Sequence, residues 1–190
     1  HPSIRRSLMK ALLLTERDAK ELLSMDEVMK AVELAFREKD LSHAQMPAKL
    51  YLFYSKYNGD LRTMPSHLEE LDVSAVKVVN VHPENRAKYG FPTVMATIVL
   101  VDPKNGAPLA IMGGTYVTDL RTGAAGGIAA KYLAKKDSKV VGLIGAGVQA
   151  RMQLISLVSI YKKLEEVRVW SRTKKTRDAY TAEMKPMYGD

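Results

Sequence analysis

The chain has 190 residues, of which 46% are hydrophobic and 26% charged, and none is cysteine. This composition is typical of a globular protein, and it excludes a collagen, a disordered tail, a disulfide framework and a thiolate metal site. No apolar run approaches the roughly 18–20 residues of a membrane span, and aromatic residues are not interleaved with the basic residues behind the net charge of +8. We therefore expect a cytoplasmic protein with neither a membrane nor a nucleic-acid partner.

The first part of the chain predicts two helices. Residues 1–8 carry two arginines but no apolar segment of a signal peptide, so we expect a cloning remnant or an upstream extension there. The first domain, which we assign to residues 9–135, opens with two capping signatures at 15–18 and 24–27, each a hydroxyl followed three residues later by a carboxylate. Apolar residues after the second signature recur at i, i+3, i+4 and i+7, which predicts an amphipathic helix.

The middle of the chain predicts strands and then a helix. Alternating or β-branched segments predict strands at residues 49–54, 61–64, 73–81, 91–101 and 108–112. A helix followed by mostly antiparallel strands indicates an α+β domain. Residues 118–134 predict a helix rich in Gly and Ala, and its three glycines indicate very close packing against backbone or a ligand.

The last part of the chain, residues 136–190, changes to a β-α-β pattern. We predict two strands and two helices, at residues 139–144, 148–161, 166–170 and 173–185. Alternating strands and helices are typical of a parallel α/β sheet of the dinucleotide-binding Rossmann type. The sequence therefore predicts an α/β protein in which an N-terminal α+β domain precedes a Rossmann domain.

The strongest single motif is the glycine turn that links the first of these strands to its helix. Gly145 permits the tight turn, Gly147 lets the backbone approach a pyrophosphate, and Ala150 allows close packing of helix on strand. The helix N-terminus supplies N–H groups and the positive end of the helix dipole. The alternative is a glycine-rich turn that binds nothing.

The end of the second strand predicts which dinucleotide is bound. It reads Ser171, Arg172 and Thr173, and it lacks the acidic residue that would bond the ribose 2′-hydroxyl of NAD. A guanidinium and two hydroxyls suit a 2′-phosphate, so we predict NADP, with NAD as the alternative. The other possibility is that Arg172 simply faces solvent.

Three cations in apolar surroundings are candidate ligands of a carboxylate substrate: Arg62, Lys77 and Arg121. If the strand face that carries Lys77 is buried, its ammonium needs a partner; otherwise it is an ordinary strand lysine. We expect Arg121 in the first turn of its helix, where a cation is unfavourable unless an anion is also present. His67 and His82 lack metal-ligand spacing, so we predict no metal site.

Several segments together resemble the ornithine cyclodeaminase/mu-crystallin family, most closely its archaeal alanine dehydrogenase branch. They are Gly59-Asp-Leu-Arg-Thr-Met-Pro65, Val76-Lys-Val-Val-Asn80 with His82-Pro83, Phe91-Pro-Thr-Val-Met95, Thr118-Asp-Leu-Arg-Thr-Gly-Ala-Ala-Gly-Gly127 and Leu143-Ile-Gly-Ala-Gly-Val-Gln-Ala150. The likeness runs from about residue 9 to residue 185. It implies a substrate and dimerisation domain, a Rossmann domain, a homodimer and reversible hydride transfer at the α-carbon of an amino or imino acid.

The resemblance also implies roles for individual residues. Arg62, Lys77 and Arg121 are similar to the basic residues around the substrate carboxylate, with Lys77 most directly involved in catalysis. Thr93 and Thr122 are similar to residues near the nicotinamide. The pyrophosphate loop corresponds to Gly145, Gly147, Val148 and Gln149, and the NADP-binding pattern of mu-crystallin to Ser171, Arg172 and Thr173.

The resemblance leaves several activities open. A two-domain enzyme of this kind needs roughly 300 residues, so we expect the Rossmann domain to be incomplete here and the family's catalytic aspartate to lie outside these 190 residues. We predict an NAD(P)-dependent oxidoreductase similar to alanine dehydrogenase. The alternatives are an ornithine cyclodeaminase that forms proline and ammonia, an NADPH-dependent ketimine reductase, and a non-catalytic NADP(H)-binding protein.

Overall fold

A computed structural model of the protein describes residues 10–188, so the expectation for residues 1–8 lies outside them. In chain order the elements are β1 (Leu12–Leu14), α1 (Glu16–Leu22), α2 (Met25–Asp40), β2 (Ala44–Gln45), β3 (Leu50–Tyr54), a 3-10 turn (Ser55–Tyr57), β4 (Gly59–Leu68), β5 (Val73–Val81), α3 (Asn85–Tyr89), β6 (Val94–Val101), β7 (Pro108–Gly113), α4 (Thr115–Leu133), β8 (Val140–Ile144), α5 (Val148–Ile160), β9 (Glu166–Trp170) and α6 (Lys174–Tyr188). The predicted α/β class is confirmed.

The chain forms two compact units. The first unit holds residues up to 22 and residues 35–117, and the second holds residues 23–34 and those from 118 onwards. The division falls within α4, whereas the sequence predicts a domain boundary after residue 135. That boundary stays a prediction.

The first unit is built on a seven-stranded sheet. Its order is β1-β7-β6-β5-β4-β2, and β3 pairs with β4. All neighbours are antiparallel except β1, which runs parallel to β7. Both predicted capping boxes form at the helices that follow β1: the Thr15 hydroxyl donates to Asp18 at 2.8 Å, and the Ser24 hydroxyl donates to Glu27 at 2.6 Å.

Helix α4 begins three residues earlier than the sequence predicts. The carboxylate of Glu16 accepts hydrogen bonds from the backbone N–H groups of Thr115 at 2.7 Å and Tyr116 at 2.9 Å. This distant carboxylate caps the first turn and stabilises the positive end of the helix dipole. The prediction that Arg121 lies in the first turn is therefore wrong, because the extra residues place it in the second turn.

The second unit contains a two-stranded parallel sheet with a helix after each strand. β8 pairs with β9 in the register Val140 to Glu166 through Ile144 to Trp170. Its core consists of Leu143, Leu154, Tyr180 and Met184. This is the first β-α-β-α part of a Rossmann-like domain, and it holds the two turns that the sequence singles out.

Helices α4 and α5 pack closely in the second unit because glycine removes the side chains between them. A Cβ at Gly123 would lie 2.5 Å from the Cβ of Met152, and one at Gly127 would lie 2.7 Å from that of Ser156. The buried Ser156 hydroxyl donates to the carbonyl of Gly123 at 2.8 Å. The three glycines of α4 therefore let α5 approach its backbone, which brings the helix bearing Arg121 against the helix that follows the glycine turn.

Candidate active site

In the first unit, neighbouring strands bring Arg62 and Lys77 to one face of the sheet. Arg62 pairs with Val79, and Lys77 pairs with Met64, so the two cations are diagonal neighbours across β4 and β5. Side chains in that relation lie about 7–8 Å apart, close enough to share one small anion. We call this face, which carries Arg62, Lys77, Val79 and Ala96, the cation face.

The surroundings of Lys77 bear on its two sequence interpretations. Val79 on the same strand is 5% exposed, and Ala96, which pairs with Val79, is 8% exposed. Lys77 itself is partly buried. A partly buried ammonium beside apolar side chains favours a carboxylate or another polar group as its neighbour.

Arg62 is already engaged by an acidic residue on its own strand. Its Nε and one Nη donate to the two carboxylate oxygens of Asp60 at 2.7 and 2.8 Å. The hydrogen bond with Asp60 raises the pKa of Arg62, and the same bond lowers the pKa of Asp60. The guanidinium also lies 5.2 Å from the centre of the Tyr51 ring. Asp60 and Tyr51 therefore hold the fork of Arg62 in one orientation and leave its other N–H groups for an acceptor.

Thr93 lies at the end of the sheet that carries this pair. It immediately precedes β6, and its carbonyl accepts the backbone N–H of His82 at 2.8 Å. In the next row of the sheet, Val94 pairs with Val81, which pairs with Asp60. The structure thus gathers Arg62, Lys77 and Thr93 in the first unit, whereas the other predicted substrate and nicotinamide residues belong to the second unit.

In the second unit, the glycine turn has the predicted form of strand, turn and helix. Gly145 has φ of +111°, a conformation that favours glycine, and its N–H donates to the carbonyl of Trp170 at 2.8 Å. Gly147 is the N-terminal cap of α5, and no side chain of the described residues bonds the free N–H groups there. Its φ of −92° suits any residue, and an added Cβ would meet no atom of residues 10–188 within 4 Å.

Gln149 follows this turn in the first turn of α5, and its side-chain amide has a partner among the described residues for its nitrogen but not for its oxygen. Its Nε2 donates to the carbonyl of Asp119 on α4 at 3.3 Å. Its Oε1 is buried, and no donor among residues 10–188 reaches it. A buried acceptor without a donor costs about 1–3 kcal/mol, and a water molecule or the N–H or O–H group of a ligand would remove this cost.

Arg121 and Thr122 lie on α4, next to the helix that carries Gln149. Partial burial lowers the pKa of the Arg121 guanidinium, although the carboxylate of Asp119 opposes this effect. Thr122 donates its hydroxyl to the carbonyl of Thr118 at 2.7 Å, within its own helix. A guanidinium that the protein partly desolvates gains more from an added carboxylate than one in open water.

The tip of β9 forms a small hydroxyl cluster at the start of α6. The hydroxyls of Ser171 and Thr173 lie 2.7 and 2.9 Å from that of Thr176, and Thr173 accepts the N–H of Thr176 as the helix cap. Arg177 donates to the carbonyl of Ser171 at 2.6 Å. Arg172 is exposed between the two clustered hydroxyls. The residues predicted to select the cofactor are therefore adjacent. Hydrogen bonds from Thr176 and Arg177 hold Ser171 and Thr173 in place.

Three contributors to these sites were absent from the sequence-based predictions. Asp60 could have been found, because opposite charges at i and i+2 on a strand lie on one face. Arg151 donates to carbonyls of the glycine turn, and Arg177 donates to that of Ser171. Contacts of this kind depend on where a helix packs, and the local sequence pattern carries no signal for them.

Residues 10–188 contain neither a cluster of metal ligands nor a helix that could cross a membrane. No group of three or more His, Asp or Glu side chains within that range is placed to hold a metal ion. No helix there combines the length and the apolar character that crossing a membrane requires.

The chain matches known proteins along nearly its whole length. The model of the ornithine cyclodeaminase/mu-crystallin family matches residues 9–189. The alanine dehydrogenase of Archaeoglobus fulgidus is 54% identical over 153 residues, which are 80% of this chain and 46% of that protein.

Solved structures agree with the sequence match. The Δ1-pyrroline-2-carboxylate reductase of Thermococcus litoralis, solved with NADH and L-proline, gives a TM-score of 0.88 at 46% identity over 93% of this chain and 54% of that chain. A dimeric archaeal alanine dehydrogenase solved with NAD gives 0.89 at 47% identity over 95% of this chain and 54% of that chain. The chain thus spans about half the length of the relatives it matches. The resemblance predicted from the motifs is confirmed: this chain belongs to the ornithine cyclodeaminase/mu-crystallin family.

Proposed function

We propose that this chain carries the dinucleotide loop and part of the substrate site of a nicotinamide-dependent oxidoreductase for a small L-amino acid or its imino acid. The observation that carries the proposal is Gly147. Neither its backbone conformation nor protein packing requires glycine there, yet it opens an uncapped helix directly after a parallel strand. A phosphate group that approaches the backbone closely would explain the glycine, because any side chain there would keep the phosphate away.

The family resemblance assigns the proposed roles of the basic residues, and their surroundings support these roles. Arg62, oriented by Asp60, and Arg121, partly desolvated, bind the carboxylate of the substrate. Lys77 polarises the imino acid or relays the proton of its nitrogen. Thr93 and Thr122 border the nicotinamide, which, when bound, supplies the hydride acceptor or donor for the substrate α-carbon.

We propose NADP(H) as the dinucleotide and keep NAD(H) as the alternative. The exposed Arg172 and the hydroxyls of Ser171 and Thr173 support NADP(H), because they can pair with a 2′-phosphate. Support for NAD(H) comes from the relatives solved with NADH or NAD. The pyrophosphate loop at Gly145 and Gly147 serves either one.

The proposed function is tested by fluorescence titration of the purified chain with NADPH and NADH, followed by activity assays. We expect saturable binding of at least one of them, because the loop lies within this chain. Turnover is assayed in both directions, with alanine and with pyruvate plus ammonia, and with proline as a cyclic substrate. Absence of binding to either dinucleotide would contradict the proposal.

The family includes cyclodeaminases, which give the same protein a different reaction outcome. In cyclodeamination, hydride leaves and returns within one turnover, so ornithine yields proline and ammonia without a net change in nicotinamide absorbance. A dehydrogenase or ketimine reductase changes that absorbance stoichiometrically. A protein of the relatives' full length that contains this chain and binds NADP(H) but turns over none of these substrates would match the non-catalytic alternative.

We propose that the protein acts as a homodimer through its first unit, and that it is cytoplasmic. The face of the sheet opposite the cation face carries exposed apolar side chains on three strands: Leu13, Leu50, Leu52, Leu109 and Ile111. Such an apolar area is unusual on a monomer and typical of an interface. The archaeal alanine dehydrogenase that this chain is similar to was solved as a dimer.

A further inference from the structure

Arg151 makes an unusual set of contacts around the glycine turn. It lies in the first turn of α5, and one Nη donates to the carbonyls of Ala146 at 3.0 Å and Gly147 at 3.1 Å. Its Nε and its other Nη donate to the two oxygens of Glu183 on α6, with Nε to Oε1 at 2.8 Å. One side chain thus connects the turn, its helix and the next helix.

The two carbonyls that Arg151 holds fix the direction of two N–H groups. A trans peptide is planar, and its C=O and N–H point in opposite directions. No cis peptide bond occurs among residues 10–188. With the carbonyls of Ala146 and Gly147 turned towards Arg151, the N–H groups of Gly147 and Val148 point away from it, towards the open side of the turn. These are the donors that a pyrophosphate at a helix N-terminus uses.

The charge of Arg151 is already balanced by its protein partners. The bond to Glu183 raises the pKa of Arg151 and lowers the pKa of Glu183. The guanidinium also lies 5.1 Å from the centre of the Tyr180 ring, and the Tyr180 hydroxyl donates to the carbonyl of Ala150 at 3.1 Å. Burial raises the pKa of Tyr180 to about 12, so this hydroxyl keeps its proton at neutral pH.

We propose that Arg151 is a positioning residue for dinucleotide binding, which holds the glycine turn through its carbonyls so that its N–H groups face the pyrophosphate. Glu183 holds the guanidinium in place for this task. The inference rests on the proposed function, and it adds the groups that preorganise the phosphate-binding loop. Arg151 acts through the backbone of the turn and makes no contact with the pyrophosphate.

The test compares R151M with R168M in the full chain. Arg168 makes a similar two-pronged pair with Glu166, at 2.8 and 2.9 Å, but is exposed on β9 with no bond to the glycine turn. Binding is measured with ADP-ribose, which contains the pyrophosphate, and with adenosine, which lacks it. We expect R151M to weaken ADP-ribose binding about ten- to a hundredfold, the range for losing one hydrogen bond to a charged group. Adenosine binding, and both ligands with R168M, should stay within about twofold.

Further variants separate positioning from other roles. R151K should recover part of the lost affinity, because an ammonium can still reach one carbonyl. E183Q should weaken ADP-ribose binding; if Arg151 instead contacted the phosphate directly, releasing it from Glu183 would tighten binding and overturn the proposal. Equal loss of ADP-ribose and adenosine binding in R151M would indicate general collapse of the unit and would also overturn it.

A ligand-free measurement keeps this inference distinct from the proposed function. Backbone ¹⁵N order parameters from NMR relaxation should be lower for the Gly147 and Val148 amides in R151M than in R168M or the unsubstituted chain. Unchanged order parameters would contradict the positioning role of Arg151 whatever the ligand data. If the unsubstituted chain binds no ADP-ribose, NADH or NADPH, the proposed function fails, while the order parameters still decide whether Arg151 holds the turn.

Discussion

Gly145 and Gly147 of the glycine turn are glycine for different reasons: the backbone conformation requires it at Gly145, and the proposed phosphate contact requires it at Gly147. Gly145 has a φ of +111°, so any other residue is strained there. We expect G145A to lower the free energy of unfolding by about 1–3 kcal/mol, measured by urea denaturation. G147A serves as the matched control, because its conformation and surroundings accept a Cβ. It should unfold like the unsubstituted chain but bind NADH and NADPH more weakly; unimpaired binding would contradict the role of Gly147.

Lys77 is the residue on which the proposed chemistry depends most. K77M should abolish turnover while leaving dinucleotide affinity unchanged, because the lysine lies on the sheet of the first unit and the loop in the second. Both quantities are measured on the same preparation, by nicotinamide absorbance and fluorescence titration. The control is K104M, which removes an exposed lysine paired with Asp72. Retained turnover in K77M would remove Lys77 from the mechanism.

Arg172 tests the choice of dinucleotide. R172D replaces an exposed guanidinium by a carboxylate, which repels a 2′-phosphate and can accept a bond from a 2′-hydroxyl. We expect NADPH binding to weaken by about tenfold or more and the preference to move towards NADH, since a bond to a charged group contributes about 1.5–3 kcal/mol. Unchanged affinity for both dinucleotides would show that Arg172 faces solvent without a role in binding.

Among the elements, the crossing of α4 and α5 sets the geometry of the second unit. Side chains of α5 donate to carbonyls of α4 at several levels: Gln149 to Asp119, Gln153 to Thr122, Ser156 to Gly123, and the following Tyr161 to Ala130. This ladder requires the small residues of α4. These bonds therefore fix the position of α4, which carries Arg121 and Thr122, along α5, which begins at the glycine turn.

A glycine-to-alanine pair tests this crossing. In an unconstrained helix, alanine is favoured over glycine by about 1 kcal/mol. We expect G123A to destabilise the protein by about 1–3 kcal/mol nevertheless, because the new Cβ meets the backbone of Met152, which cannot move aside. G142A is the control, since a Cβ there meets nothing within 4 Å. Urea denaturation of both variants gives the comparison, and stabilisation in G123A would refute the close packing.

For the whole molecule, self-association is the property that the exposed apolar sheet face predicts. Ile111 is an exposed apolar residue of that face, on β7 between the edge strand β1 and β6. We expect I111K to shift the protein from dimer to monomer in sedimentation velocity, because an ammonium is costly to bury in an apolar interface. L133K, which changes an exposed leucine of the second unit, should leave the dimer intact. A dimer that withstands I111K would place the interface elsewhere.

Local signals predicted most of the fold, and distant contacts account for what was missed. Alternation and turn residues indicated the strands at 73–81 and 108–112, and the capping boxes marked the starts of α1 and α2. β1 has only three residues, too few for an alternating pattern to be recognised, and it forms because it pairs with the distant β7. In the sites, the predicted residues are single polar groups in apolar segments, whereas Asp60, Arg151 and Arg177 matter through partners that only packing reveals.

The pairing of β1 with β7 has a consequence for how the protein is made. Leu12 to Leu14 find their partners at residues 110–112, and Glu16 finds the N–H groups that it caps at 115 and 116. At about 5–20 residues per second, a ribosome needs about 5–20 s to supply those partners. During that interval the nascent chain presents an unpaired leucine segment, which is open to association with other exposed apolar segments until β7 has been made.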